Sequence, residues 1–270
     1  MKNNGKTKIE KAKAGDRKAL ELVILEVQDM VYNLSLKMLL FPADAKDATQ
    51  EILIRIITHL STFDHKSQFK TWVYRVATNY LLTHKGKKSR EFAMPFKDYA
   101  NLIDSGHSNS VKHAKNDGEL QLLEEEVKVS CTQGLLLCLN ETDRMVYILS
   151  ELLEFNGNEG AGILQISPES FRKKLSRSRA KIRNFLDKKC GLANPENPCR
   201  CTKKIDFLAN QKIIDPKNLR FAQFTKRSID LVGKLGELEK SIAIYRHVPK
   251  MQAPNEIMQK IKKTLSIDSV

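Results

Sequence analysis

The spacing of apolar residues along this chain is that of α-helices throughout. A clear example is the apolar stripe between positions 44 and 60, which consists of Ala45, Ala48, Ile52, Ile56 and Leu60. Residues three or four positions apart lie on one face of a helix, so this stripe would pack inward. No segment keeps the strict alternation of apolar and polar residues that a half-buried strand requires. The sequence therefore predicts an all-α protein.

The opposite side of that predicted helix is mostly acidic. It carries Asp44, Asp47, Glu51 and Arg55. An acidic surface is an unusual neighbour for nucleic acid, but it suits a basic protein partner. We therefore expect this helix to face another protein.

A second amphipathic helix follows, and its two faces differ in chemistry. The predicted packing stripe, which includes the indole of Trp72, consists of Phe69, Trp72, Val73, Val76 and Tyr80. The predicted outward face consists of Lys70, Thr71, Arg75, Thr78 and Asn79. Cations and hydrogen-bonding groups of this kind suit phosphates and exposed base edges. Taken alone, the same face also fits an ordinary solvated surface.

A strongly basic helix is predicted in the middle of the chain. Ser167, Pro168 and Glu169 have the order of an N-cap, a first helical proline and a dipole-matched acid. The inward residues would be Phe171, Leu175, Ile182 and Leu186, and the exposed cations would be Arg172, Lys173, Lys174, Arg177, Arg179, Lys181 and Arg183. A recognition helix that enters the major groove has this arrangement. Basic helices also bind membranes or acidic proteins, but the narrow apolar stripe favours DNA.

A turn is predicted immediately before the basic helix. Asn140 would cap an earlier helix, and the sequence from Phe155 to Gly157 would end it. Gln165 then occupies a turn position, where the turn must accommodate its side chain in a left-handed backbone conformation at some cost. Gly160 and Gly162 each cost the short helix before this turn about 1 kcal/mol of helix propensity.

Charge and hydropathy agree with a DNA-bound protein. The formal net charge is +14 over 270 residues, and a second basic patch consists of Lys85, Lys87, Lys88 and Arg90. Clustered positive charge attracts phosphates without regard to base sequence. Neither a run of eighteen apolar residues nor a signal peptide is present, so we expect a cytoplasmic protein without a membrane partner.

Composition changes along the chain suggest four segments. Residues 98–118 lack the regular spacing of apolar residues and are rich in Asp, Asn, Ser and Gly. This composition indicates a linker. We expect domains at 1–92 and 121–189, a linker at 93–120, and a helical extension at 190–270. Within the extension, helices are predicted near 218–226, 228–247 and 254–266.

Two stretches carry a family resemblance. The run DAKDATQEILIRI (Asp44 to Ile56), followed by FKTWVYRVATN (Phe69 to Asn79), resembles conserved region 2 of bacterial RNA polymerase sigma factors of the extracytoplasmic-function type. The run ILQISPESFRKKLSRSR (Ile163 to Arg179) resembles region 4 of the same family. The first resemblance covers roughly residues 16–90, and the second covers Leu139 to Leu186. The two regions in this order are far more specific than either alone.

The resemblance implies a function and a set of contacts. Region 2 would bind core RNA polymerase at its β′ subunit through Asp47, Gln50 and Glu51. The loop at 61–68 and the helix after it would bind the unpaired minus-ten strand. Region 4 would bind the minus-thirty-five duplex. The DNA contacts implied in this way are Lys70, Arg75, Asn79, Lys85, Lys87, Lys88, Ser170, Arg172, Lys173, Lys174, Arg177 and Arg179. The implied partners are core polymerase through its β′ and β subunits, promoter DNA and an anti-sigma factor.

Other functions remain open from the residues alone. A helix-turn-helix regulator would keep the basic helix without binding core polymerase, and a helical adaptor would use that helix to bind an acidic protein. An enzyme is disfavoured, because the sequence has no phosphate-binding glycine loop, no paired-histidine motif and no nucleophile in a recognisable frame. We expect no cofactor.

Five cysteines remain, namely Cys131, Cys138, Cys190, Cys199 and Cys201. The last three are close in sequence and could bind zinc with a fourth ligand from elsewhere. Their spacing is not that of a standard zinc finger. We therefore expect ordinary cytosolic thiols and no metal.

Overall fold

The structure is a computed structural model that describes residues 2–84, 86–108, 111–220 and 250–264. These residues form helices and turns without a strand, which confirms the all-α prediction. None of the described helices is long and apolar enough to cross a membrane. Contacts divide the described residues into two compact units.

The first unit comprises the described residues up to 91, together with 161–167 and 250–264. Its helices are α1 (Lys2–Lys13), α2 (Arg17–Leu39), α3 (Pro42–Thr58), α4 (Phe69–Thr83), α5 (Lys87–Phe92) and, near the C-terminus, α12 (Asn255–Thr264). Asp16 caps α2 by accepting a hydrogen bond from the Ala19 amide at 3.0 Å. The predicted stripe of α3 is buried, since Ala45, Ile52 and Ile56 are inaccessible to solvent.

The second unit comprises residues 92–160 and 168–220 of the described chain. Its helices are α6 (Phe96–Ser105), α7 (Asp117–Leu136), α8 (Glu141–Tyr147), the first half of α9 (Gly157–Leu164), α10 (Pro168–Lys189) and α11 (Ile205–Asn210). A π-helical turn at Ile148–Leu152 extends α8. One core cluster consists of Leu123, Val127, Ile205, Leu208, Ile213 and Ile214.

Polar contacts set the junction between α7 and α8. The Asn140 side chain accepts from the Asp143 amide at 2.8 Å, which confirms the predicted N-cap. Arg144 is buried, and its guanidinium donates to the carbonyls of Leu136, Leu137 and Leu139. These carbonyls lie at the end of α7 and just beyond it, where the helical hydrogen-bond pattern stops, so Arg144 supplies donors to them. Burial lowers the pKa of Arg144 to about 10.

The segment predicted as a linker carries a helix in the structure. Helix α6 buries Tyr99 and Ile103, and the Tyr99 hydroxyl donates to the Cys131 carbonyl at 2.7 Å. Further along, Asp206 accepts from the Lys112 amide at 3.1 Å and pairs with His113 at 2.7 Å. The four segment boundaries themselves stay predictions.

The helix predicted near 254–266 is present as α12. The helix predicted near 228–247 and most of the one near 218–226 lie outside the described residues.

Candidate nucleic-acid interface

Helix α10 presents the predicted basic surface. Phe171, Leu175, Ile182 and Leu186 are buried as expected. The exposed cations are Arg172, Lys173, Arg177, Arg179, Lys181 and Arg183. Ser170 is half-buried two positions before the first of them. The inward stripe therefore turns a row of positive charge toward solvent along the length of the helix.

Some of these cations also stabilise the fold. Arg179 donates from Nε to the buried Glu151 carboxylate at 2.9 Å, which attaches α10 to the π-helical turn. Lys174 is half-buried, with Nζ 3.6 Å from Asp143. Lys173 forms an exposed pair with Glu169 at 2.6 Å within the same helix, and such pairs contribute little to stability. Among the cations of α10 that are predicted to contact DNA, Arg172 and Arg177 contribute least to stabilising the fold.

The turn before α10 has the predicted backbone. Gln165 has φ of 54°, which confirms the left-handed expectation. The Ile166 amide bonds the Ala161 carbonyl at 3.1 Å across this turn. Gly160 serves a packing purpose, because an added Cβ there would lie 2.4 Å from Cζ of the buried Phe171 ring. Gly162 has open space instead.

Helix α4 is rotated slightly from the predicted orientation. Its buried residues are Trp72, Val73, Ala77, Thr78 and Leu81. Core packing of Trp72 is thus confirmed at 8% exposure. The outward placement of Thr78 is wrong, because Thr78 is fully buried and its hydroxyl donates to the Arg75 carbonyl at 3.1 Å. Ala77 and Leu81 complete the inward stripe, which brings Thr78 inward with them.

The remaining predicted contacts of α4 lie at its surface. Lys70 and Asn79 are exposed, and Thr71 and Arg75 are half-buried. The Nε atom of Arg75 is buried without a hydrogen-bond partner among the described residues. A buried donor of this kind is costly unless a partner arrives, so Arg75 is suited to receive a ligand.

Helix α1 fixes the loop that precedes α4. Lys13 donates to the Phe63 carbonyl at 2.6 Å, and Glu10 pairs with His65 at 2.5 Å. Hydrogen bonds from His65 and then Lys13 lower the pKa of Glu10. The Phe63 ring packs edge-on to Phe69 at 5.3 Å between centroids. Lys66 and Asp64 remain exposed at the tip.

The acidic helix α3 exposes only part of its predicted interface. Asp47 and Glu51 are exposed, whereas Gln50 is 5% exposed. Asp44 is half-buried and accepts from the Ser89 amide and hydroxyl, both at 2.9 Å, so it caps α5. Asp47 lines a cleft with two cations of the second basic patch, Lys87 and Arg90.

The structure describes only some of the lysines of that basic patch. Lys87 and Lys88 are exposed on α5. Lys85 lies outside the described residues.

Part of the first unit matches a known protein family. Residues 23–91 match the model of sigma-70 region 2. This span includes α3, the loop and α4, which carry the acidic surface and the half-buried Arg75. The match is independent of the basic helix α10, which lies beyond it.

Longer matches are to curated sigma factors. The chain is 28% identical over 185 residues to the ECF RNA polymerase sigma factor SigW of Bacillus subtilis, covering 67% of this chain and 96% of SigW. It is 25% identical over 181 residues to the RNA polymerase sigma-H factor of Pseudomonas aeruginosa, covering 66% and 91%. It is 27% identical over 176 residues to the ECF RNA polymerase sigma-E factor of Escherichia coli, covering 65% and 91%. About a third of this chain therefore lies outside these alignments.

The region 2 match and these curated relatives support a bacterial sigma factor of the sigma-70 class. Within that class, the chain is similar to sigma factors of the extracytoplasmic-function group. These relatives favour a sigma factor over a regulator that does not bind core polymerase.

A solved sigma-factor structure superposes only weakly on this chain. The sigma factor RpoE of Bartonella quintana, in complex with the anti-sigma factor NepR, aligns with a TM-score of 0.42 and 19% identity. That alignment covers 63% of this chain and 98% of RpoE.

Proposed function

We propose that this chain binds core RNA polymerase and directs promoter recognition and transcription initiation. The single observation that carries this proposal is the region 2 match at residues 23–91, within alignments that span nearly the whole of several sigma factors. The chain itself makes no covalent bond and acts in the cytoplasm, where the polymerase is. An anti-sigma protein is a further partner in this proposal.

Three surfaces of the chain bind three different partners in this proposal. The exposed acids Asp47 and Glu51 of α3 bind the β′ subunit, where an acidic surface meets a basic one. The face of α4 with Lys70, Arg75 and Asn79, together with the exposed loop tip, binds unpaired bases of the minus-ten element. Helix α10 acts as region 4 and enters the major groove of the minus-thirty-five element.

Promoter opening follows from selective binding of single strands. Melted bases offer π-faces and Watson–Crick edges that the duplex hides, so a surface that binds them favours the open state. The buried Nε of Arg75, which has no hydrogen-bond partner among the described residues, is a donor that gains one when a ligand docks. We therefore assign Arg75 to the open complex rather than to the first encounter with duplex.

Initiation by purified components tests the proposal. The full-length chain is mixed with bacterial core polymerase and a library of promoter fragments, and the transcripts are sequenced. A sigma factor yields initiation from a defined subset of sequences. Absence of specific initiation, together with absence of binding to core polymerase, would refute the function.

A paired variant set separates the two DNA-binding surfaces. Arg75→Ala with Asn79→Ala should leave upstream duplex binding near normal while reducing promoter opening. A premelted template should partly restore initiation by this variant, because it removes the cost of opening. Permanganate reactivity of the minus-ten thymines measures opening directly. Normal opening by the bound variant would remove the α4 face from the single-strand site.

A further inference from the structure

Helix α1 lies outside the part of the chain that matches sigma-70 region 2. That match begins at residue 23, whereas α1 ends at Lys13. Within the first unit, α1 packs against α2, and its inward residues Ile9 and Ala12 are each 7% exposed. Lys8 of α1 also pairs with Glu26 of α2. Because α1 is attached to α2 in this way, it can support a segment that contacts its other side.

The segment on that other side is the loop at 61–68, which precedes α4. Lys13 donates to the Phe63 carbonyl at 2.6 Å, and its ammonium lies 5.5 Å from the centre of the Phe63 ring. Glu10, one turn earlier on α1, pairs with His65 at 2.5 Å. Glu10 and Lys13 also pair with each other at 3.1 Å. One carboxylate and one cation of α1 therefore hold two alternate residues of the loop.

The loop alternates between residues that α1 holds and residues that face solvent. Phe63 is 2% exposed, and His65 is half-buried. Asp64 and Lys66, which alternate with them, are exposed. Successive side chains of an extended chain point to opposite sides, and the backbone at Phe63 is extended. The contacts with α1 thus leave the side chains of Asp64 and Lys66 pointing outward, where a ligand can reach them.

The backbone of the loop is strained at the residue that Glu10 contacts. His65 has φ of 60°, and this left-handed conformation is unfavourable for a residue with a Cβ atom. The His65 ring lies 4.5 Å from the Phe63 ring, which in turn lies 5.3 Å from the ring of Phe69 at the start of α4. Surrounding contacts must hold a residue in such a conformation. Without Glu10 and Lys13, the loop would therefore populate other conformations as well.

The contacts of α1 with the loop matter more for local geometry than for global stability. The side chain of Glu10 is 51% exposed, and that of His65 is 29% exposed. Ion pairs with this much exposure contribute little to the free energy of unfolding. A binding loop that is already held in its bound form, however, loses less conformational entropy when the ligand docks. The arrangement therefore suits preorganisation of the loop.

We propose that Glu10 and Lys13 of α1 position the loop at 61–68 for the unpaired minus-ten strand. This inference rests on the proposed function, since it assigns that loop to the minus-ten element. Glu10 and Lys13 act through His65 and Phe63, so they are positioning residues and not DNA contacts. Their loss weakens single-strand binding and base selection, while binding to core polymerase and to the upstream duplex persists.

Variants of the full-length chain test this role. Glu10→Ala with Lys13→Met removes both partners of the loop and leaves the net charge unchanged, so long-range attraction to DNA stays the same. Lys13→Arg keeps a cationic donor and should restore wild-type behaviour when Glu10 is intact. Lys11→Met is the control for loss of one cation, because Lys11 is exposed on the same helix. Circular dichroism should stay helical in every variant, since Ile9 and Ala12 still pack on α2.

Binding to single-stranded oligonucleotides of the minus-ten element measures the role directly. Core polymerase reconstituted with the double variant should bind the selected minus-ten sequence about three- to tenfold more weakly, because the loop spends less time in its binding form. It should also discriminate less against oligonucleotides with one altered base. A general structural defect would reduce the amount of active polymerase but would leave the ratio of the two affinities unchanged. Lys13→Arg and Lys11→Met should keep both the affinity and the ratio of wild type.

Fluorescence reports separately whether α1 holds the loop. Trp72 is the only tryptophan of the chain, and its ring lies 5.7 Å from the Phe63 ring and stacks on Phe69 at 5.8 Å. Release of Phe63 would open this aromatic cluster to solvent. Acrylamide should therefore quench Trp72 more readily in the double variant than in wild type, with the control unchanged.

The outcomes separate the positioning role from the function. Equal quenching of Trp72 in wild type and double variant would show that α1 does not hold the loop. Wild-type affinity and base discrimination by a variant whose loop is released would show that the held form is not needed for binding. An equal loss in Lys11→Met would assign the effect to charge. Each of these three results overturns the proposal. Failure of wild-type polymerase to bind any minus-ten oligonucleotide would instead refute the sigma-factor function, and the quenching comparison would still report on the loop.

Discussion

Two of the three glycines of α9, Gly160 and Gly162, allow packing and helix propensity to be separated. Gly160→Ala and Gly162→Ala each replace glycine by alanine within one helix, so each gains about 1 kcal/mol of helix propensity. Only Gly160 faces a neighbour, with the added Cβ 2.4 Å from Cζ of Phe171. The ring is fully buried and rigid, so it cannot yield as a flexible side chain would.

The expected magnitudes follow from this difference. Gly162→Ala should stabilise α9 by about 0.5–1 kcal/mol, since its Cβ meets open space. Forcing a methyl group against a packed ring costs about 1–3 kcal/mol. Because the helix-propensity gain cancels between the variants, Gly160→Ala should be less stable than Gly162→Ala by about 1–3 kcal/mol.

Hydrogen exchange measured by mass spectrometry on α9 and α10 reports this local stability without assuming that both units unfold together. Gly160→Ala should also weaken binding to a minus-thirty-five duplex, because the shift needed to relieve Phe171 moves the start of α10. Gly162→Ala should bind normally. Equal stabilisation of the helix by both variants would refute the close approach of Gly160 to Phe171.

Three further predictions concern charge. Asp47→Lys with Glu51→Lys should weaken core polymerase binding in a competition assay while circular dichroism stays helical, and unchanged affinity would remove these acids from the interface. Arg172→Ala with Arg177→Ala should reduce minus-thirty-five duplex binding by about 1–3 kcal/mol for each arginine that reads a base, whereas a uniform weakening on all DNA sequences would indicate that both arginines bind phosphates only. Burial, and then the charge of Lys250, lower the pKa of Lys37 to about 8. The unfolded chain then binds more protons between pH 8 and the ordinary lysine pKa of 10.5, so this group adds stability as pH rises through that window. Lys37→Met should be more stable than wild type at pH 7, and urea titrations should show the difference shrinking by up to about 3 kcal/mol toward pH 10; a difference independent of pH would contradict the buried charge.

Local sequence was sufficient for many of the helices and for the cap of α8, although it predicted a linker where α6 lies. Asn140 caps α8, Gln165 adopts a left-handed turn, and Phe171 lies inside while Arg172 lies outside. These features depend on residues within one or two turns of each other, and therefore the pattern of the chain predicts them. The family resemblance rested on the same short stretches.

Tertiary packing decided what local sequence left undetermined. The direction of Thr78 and the burial of Gln50 depend on which neighbouring helix covers each face, and periodicity alone does not specify the exact angle of rotation. Lys13 binds the Phe63 carbonyl, and residues 250–264 return to α2 and α3, through contacts between positions far apart in sequence. A helical pattern states which side of a helix is apolar, but only the closed fold determines which other segment of the chain covers it.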